Sequence, residues 1–403
     1  MDIIIENARV LTLDDHDTEY PEADILIRDG RIEALGHGVA RGHGGAARVI
    51  DGRGKLAMPG LINGHFHSPM NLFKGALVDM PLELYMLFEV PPLAEAAASR
   101  ELAHTRTQLA AVDLLRQGVT AIHDDVFYVP VPTDEEIDGV MSGYADSGIR
   151  ATATINQSNV VEYTKYPYLA ELLPPELRQR MDAAPRVEAE AMLALYERYI
   201  GQWEGSHGGR IRTAVSCSAP QRVTPEYFRA LGELSRRHGI PYQMHILETK
   251  LQRVLGRERF GQSLLRYAHE QGVLDERAVV IHAIWIDDAD IELLARSGCS
   301  VAHNPISNLK IGSGVMPFRR LREAGVNLCL GIDEVPVDDG MNLWTVGKVA
   351  GLIHKISDPE YRMVYGSWWG VVGLVPLGTG LVGWCPAYLP FGFSTCAVKN
   401  RAV

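Results

Sequence analysis

His65 and His67 stand two residues apart at the end of the run Met58-Pro59-Gly60-Leu61-Ile62-Asn63-Gly64-His65-Phe66-His67. Leu61 and Ile62 predict a buried strand. Strand side chains alternate sides, so His65 and His67 project together while Phe66 points away. Two imidazoles then share one small volume, which is how a divalent metal is gripped, since neutral imidazole suits Zn, Fe, Ni or Cu. An isolated His-x-His also arises in cores that make only ordinary hydrogen bonds, so the question passes to the ends of later strands.

Four more apolar runs end on groups of the same kind: Gln243-Met244-His245-Ile246-Leu247-Glu248, Val279-Val280-Ile281-His282-Ala283, Val301-Ala302-His303-Asn304-Pro305 and Cys329-Leu330-Gly331-Ile332-Asp333-Glu334. His245 falls where a third metal ligand would be. Glu248, one short turn later, sets a carboxylate beside the metal without necessarily binding it. Any single such residue is explained by capping the following helix. Five strand ends carrying ligand-type groups argue for a site.

Those ends need a scaffold. From Pro59 the chain alternates apolar runs with helical patterns, and strands are predicted at 59–65, 119–124, 150–155, 211–216, 241–246, 278–283, 299–303 and 326–332, several of them continuous and β-branched, as strands buried on both faces should be. Helical periodicity lies between them, as at Arg100 to Gln117, Glu188 to Tyr199, Pro225 to His238 and Ile291 to Ser297. Eight strand–helix units predict an α/β fold, a (β/α)8 TIM barrel with its active site at the C-terminal strand ends. Before it, residues 1–57 carry short alternating runs with Asp29-Gly30 as a hairpin turn, read as small antiparallel strands forming part of a flanking β-sandwich. The barrel is expected over 58–365. An insert from Phe127 to Ala184, too long for a plain connection, reads equally as a helical excursion or as a lid over the pocket.

The chain has 403 residues, 46% hydrophobic and 22% charged, with net charge −11, an ordinary globular composition that argues against a nucleic-acid partner. Acidic residues in Met1-Asp2-Ile3-Ile4-Ile5-Glu6 occupy the place of a signal peptide's basic region, and Cys217, Cys299, Cys329, Cys385 and Cys396 form no C-x-x-C pair, so a reducing cytoplasm is expected. The tail, 366–403, is atypical. It has no charge from Trp368 to Val398, yet glycines and prolines interrupt it, which argues against a membrane helix.

Pro59 to His67, His245-x-x-Glu248, His282, Ala302-His303-Asn304-Pro305-Ile306-Ser307-Asn308-Leu309-Lys310 with Gly312-Ser313-Gly314, and Gly331-Ile332-Asp333 resemble the amidohydrolase superfamily, in the branch of cytosine, guanine and S-adenosylhomocysteine deaminases and triazine hydrolases. The resemblance implies a barrel with a flanking sandwich, one divalent metal ion, zinc expected and iron the alternative, and ligation by His65, His67, His245 and Asp333. It implies Glu248, His282 and Asp333 as catalytic groups, and hydrolytic deamination of a heteroaromatic or amidine-like C–NH2 group with release of ammonia. The alternatives are an amidase, lactamase or chlorohydrolase on the same metal, or a barrel that only binds. Small molecules are the expected partners, with no nucleic acid or membrane, and with homo-oligomerisation left open.

Three departures stand out. Where relatives end the fourth strand in Ala-Pro-His, this chain has Ser218-Ala219-Pro220-Gln221-Arg222, so Gln221 becomes a substrate contact, with Asn156 and His303 as weaker candidates. The family's Glu-Trp-Leu appears as Leu84-Tyr85-Met86, with Glu83 one position away. Beyond about Tyr365 nothing resembles the family's closing strands, and this end is read as frame-shifted or truncated, leaving the sandwich incomplete.

Overall fold

In the computed structural model, which describes residues 2–357 except 40–47, 78, 167 and 339, the chain forms two compact units that part at Leu61. The first holds β1 (Ile3–Leu11), β2 (Glu19–Arg28), β3 (Arg31–Gly36), β4 (Arg48–Asp51) and β5 (Leu56–Ala57) in one sheet, ordered β3-β2-β1-β4 with β5 also on β1. Asp29 and Gly30 turn β2 into β3 with φ of 50° and 75°, the left-handed pair that a two-residue hairpin requires. Two expectations are corrected. The first of the short runs extends without a break over Ile3–Leu11, its register shifting around Ala8 beside Asn7 at φ 57°; and β4 and β5 pair with β1 in parallel, not antiparallel. Ala8, Val10, Ala23 and Ile25 form the core of this unit. Among the described residues it has one sheet, and the strands expected to complete a sandwich are not among them.

The second unit is built from β6 (Leu61–Phe66), β7 (Val119–Asp124), β8 (Arg150–Ala153), β9 (Ile211–Thr213), β10 (Val215–Ser216), β11 (Tyr242–Ile246), β12 (Ala278–His282), β13 (Ser300–His303) and β14 (Asn327–Leu330). They form two ladders, β6-β7-β8-β9 and β10 through β14 in order. Ala214 fuses β9 and β10 into one strand serving both: its N–H reaches the Ala153 carbonyl at 2.9 Å, while the next N–H, from Val215, reaches the Pro241 carbonyl at 2.9 Å. The other seam is closed where the Asp333 N–H donates to the His65 carbonyl at 3.0 Å and the His67 N–H to the Asp333 carbonyl at 2.9 Å. Eight strands therefore close into the expected barrel, each within two residues of its predicted bounds.

Helices between the strands carry their own start and stop signals. Thr133 caps Asp134–Ser147, Thr224 caps Pro225–His238, and Asp287 with Asp290 forms a capping box on Asp288–Ser297; each helix ends on a left-handed glycine, Gly148, Gly239 or Gly298. The long insert resolves into a barrel helix (Asp134–Ser147), β8, and an excursion after it that carries the short helices Leu169–Leu172 and Pro175–Asp182. The tail expectation falls outside the described residues, among which no helix is long and apolar enough to cross a membrane.

Closure brings β6 and β14 close at two glycines. A Cβ on Gly331 would lie 2.2 Å from Asn304 Oδ1 and 2.8 Å from His65 Cβ, and one on Gly64 would lie 2.5 Å from Cys329 Sγ. Gly331→Ala is expected to cost about 1–3 kcal/mol by overpacking, read as a lower urea midpoint at unchanged m-value; a midpoint equal to the parent's would show that this seam has slack.

Candidate active site

The seam that closes the barrel also assembles the site. His65 and His67 leave β6 on its axial side, His245 ends β11, and Asp333 follows β14. His65 Nε2 lies 3.2 Å from His245 Nε2 and 3.3 Å from Asp333 Oδ1, and His67 Nε2 lies 3.5 Å from that same oxygen. All four residues are buried. His282 and Asp333 sit at φ 74° and 73°, a left-handed conformation uncommon for such residues and concentrated at functional sites.

Protonation states follow from the outer hydrogen bonds. His67 Nδ1 is 2.7 Å from the Asp125 carbonyl and His245 Nδ1 is 2.8 Å from the Ser218 carbonyl. A carbonyl only accepts, so both rings carry their proton on Nδ1 and turn a bare Nε2 inward. Burial first of all, and then the neighbouring imidazoles, lower the pKa of His245; burial likewise lowers those of His65 and His67. Neutral rings thus aim lone pairs at one another and at a carboxylate, an arrangement unfavourable unless a cation sits among them. The donor set, three imidazole nitrogens and a carboxylate oxygen, is one that zinc accepts, and these groups fall in clusters whose ligand atoms lie within 4.8 Å of one another.

On the pocket side of Asp333, His282 Nε2 is 3.6 Å from Glu248 Oε1 and 3.8 Å from Asp333 Oδ2. His282 Nδ1 is 2.8 Å from Asn308 Oδ1, which as an acceptor fixes the ring proton there and leaves Nε2 bare. The Ser307 hydroxyl donates to Asp333 Oδ2 at 2.6 Å. Burial pushes Glu248 up to about 7, the range in which a carboxyl group both gives and takes a proton at neutral pH.

These groups open into a cavity walled by the 82–92 segment, the loop after β7 and the excursion after β8. Asn156 lines it, but its amide donates to Asp125 Oδ2 at 2.8 Å. Gln221 is buried outside the cavity lining, and its neighbour Arg222, tied to Ser218 Oγ at 2.9 Å, lines the wall instead. His303 also lies outside the lining, its Nε2 2.9 Å from His354 Nε2. Sequence reading passed over Asp125, Tyr85, Glu89 and Glu334. The Tyr85 hydroxyl donates to Glu334 Oε2 at 2.9 Å, and burial raises the pKa of both Glu89 and Glu334, a carboxyl pair on the cavity wall. Only Glu334, adjacent to Asp333, had a usable signal in the sequence.

A family model described as the amidohydrolase family matches residues 56–365. The chain belongs to the amidohydrolase family. It is 32% identical over 356 residues to 5'-deoxyadenosine deaminase of Methanosarcina mazei, covering 88% of this chain and 74% of that one. It is 30% identical over 358 residues to 5-methylthioadenosine/S-adenosylhomocysteine deaminase of Thermococcus onnurineus, covering 89% and 76%. Its fold matches an adenosine deaminase from Xanthomonas campestris solved with bound zinc, at TM-score 0.73 and 24% identity, over 88% of this chain and 74% of that one. This amidohydrolase is accordingly a metal-dependent hydrolase acting on carbon–nitrogen bonds. A second family model, described as the inner membrane protein YgaP-like transmembrane domain, matches residues 347–399, of which 347–357 are described.

Chelation followed by dialysis is expected to abolish turnover and lower Tm, with zinc restoring both, and His67→Ala to reduce bound zinc from about one equivalent per chain to almost none. Full zinc content in that variant, measured by plasma mass spectrometry, would remove His67 from the ligand set.

Proposed function

We propose that this amidohydrolase deaminates an aminoheterocycle carrying its C–NH2 beside a basic ring nitrogen, with zinc held by His65, His67, His245 and Asp333, and that the barrel works in the cytoplasm. The observation that carries the reading is the division of one small volume into two faces: lone pairs fit for a cation on one side, and Glu248 and His282 opposed across 3.6 Å on the other. A divalent ion held by these four residues would lower the pKa of water from 15.7 to roughly 7 and so make hydroxide available at neutral pH. His282, through its bare Nε2, accepts a hydrogen bond from the attacking water and orients it. Glu248 protonates the ring nitrogen and so makes the neighbouring carbon electrophilic. Asp333, through the Oδ2 held by Ser307, takes one proton of the attacking water and delivers it to the departing amine, while the second water proton restores the acid form of Glu248.

By name the relatives act on 5'-deoxyadenosine and on 5-methylthioadenosine and S-adenosylhomocysteine, and nucleoside-like amines head the panel to be tried. Two polar groups of the family's motifs are changed here: the His after Ala-Pro is Gln221, and the Glu of Glu-Trp-Leu is displaced by one position to Glu83, whose Oε1 accepts from the Thr249 hydroxyl at 2.7 Å. Arg222 and Glu89, both buried on the cavity wall, are the side chains that replace them in this reading, with a cation and a carboxyl group offering complementary contacts to the ring.

Ammonia release over a purine, pyrimidine, pterin and triazine panel tests the assignment, against halide or amine release for the alternative hydrolases. On the active substrate, Glu248→Gln should lower kcat by about 10²–10⁴-fold with zinc retained. Because the acid form of Glu248 donates, the parent's activity should fall as pH rises through about 7, and the variant should lose that limb. Arg222→Met should act mainly on KM. An unaltered pH profile in Glu248→Gln would remove Glu248 from proton transfer.

The match over residues 347–399 supports a second element that departs from the expectation of no membrane and of a frame-shifted end: a tail that tethers the enzyme to a membrane. Full-length protein should then sediment with membranes and be released by detergent, while a chain ending at residue 357 stays in the supernatant. Full-length protein recovered in the supernatant would count against the tether.

A further inference from the structure

Asp125 is completely buried, immediately beyond β7 and beneath the imidazole cluster, and nothing in the catalytic scheme uses it. Its carbonyl takes the Nδ1 proton of His67 at 2.7 Å, and its carboxylate Oδ2 lies 3.6 Å from Nδ1 of His245. Oδ1 accepts from the Thr154 hydroxyl at 2.6 Å and Oδ2 from the Asn156 amide at 2.8 Å. Both donors are neutral. A carboxylate fully withdrawn from water is costly unless a positive charge compensates it, and the imidazole cluster beside it is where a dication would sit. Three neutral imidazoles and Asp333 leave a divalent ion with one positive charge in excess, which Asp125 would cancel.

We propose that Asp125 is the positioning residue and outer counter-ion of the metal centre: its carbonyl fixes the ring of His67, and its carboxylate, beside the His245 ring that the Ser218 carbonyl holds, balances the ion's charge, with Asn156 aiming that carboxylate and not contacting substrate. This rests on the ligand set proposed above. Groups of this kind around a metal alter affinity by about 10–100-fold when changed.

The test is zinc affinity by competition with a chromophoric chelator, with Tm of the metal-free chain measured alongside. Asp125→Asn, which keeps the shape and removes the charge, is expected to weaken zinc binding by about 10–100-fold while the metal-free chain is as stable as the parent or more so, because an uncompensated buried charge is gone. Zinc affinity equal to the parent's, or a loss matched by unfolding of the metal-free chain, would overturn it. Asn156→Ala supplies a second arm that does not depend on that variant folding: weaker zinc binding with little change in KM supports the proposal, and a raised KM at parental zinc affinity contradicts it. If the parent itself binds no zinc, the ligand set fails; if the parent binds about one equivalent and Asp125→Asn binds as tightly, only the role of Asp125 fails.

Discussion

Electron pairs crowd the centre of this barrel. Two of the inward-facing rings have their only proton committed to backbone carbonyls, and their bare nitrogens share a buried volume with His65 and a carboxylate oxygen at separations of 3.2–3.5 Å. In water such groups would be solvated separately; withdrawn from it, they are stable together only around positive charge. The cation requirement is thus written into the folded chain, and the rest of the site is arranged around it. The glycines at the β6–β14 seam bring Asp333 against His65 and His67, and the split β9–β10 strand passes the ladder across to β11, which bears His245.

The two faces of Asp333 connect binding to chemistry. Oδ1 points toward His65 and His67; Oδ2 is held by Ser307 and faces His282. In the proposed scheme one carboxylate therefore serves both the metal side and the proton-transfer side. Its left-handed backbone, and that of His282, is local strain held in place by the surrounding ladder, which is what places both side chains over the axis.

Much of this was legible in the sequence because its causes are local. Period-two alternation put His65 and His67 on one side, and apolar runs ending in His245, His282 and Asp333 marked strand ends. The eight strands could be counted from apolar runs alternating with helical periodicity, several of them β-branched. What escaped was set by tertiary packing. Asp125 follows another Asp at the end of β7 and looks like an ordinary turn residue; only the fold sets it under His245. Arg222 and Gln221 are adjacent, and which of them faces the cavity depends on the local turn at Pro220–Arg222, which no periodicity reports. His303 carries the strand-end signature but spends it on His354, far away in sequence. In the first unit, the parallel pairing of β4 and β5 with β1 joins segments far apart in the sequence, which leaves no mark in a hydrophobic pattern.

X-ray absorption at the zinc edge of the loaded, full-length chain tests the central claim most directly, since it reads the atoms around the ion without a substrate being known. A first shell of nitrogen and oxygen at about 2.0–2.1 Å with the outer-shell scattering of about three imidazoles is expected. A shell containing sulfur at about 2.3 Å, or one of oxygen alone, would place the ion elsewhere and contradict the account.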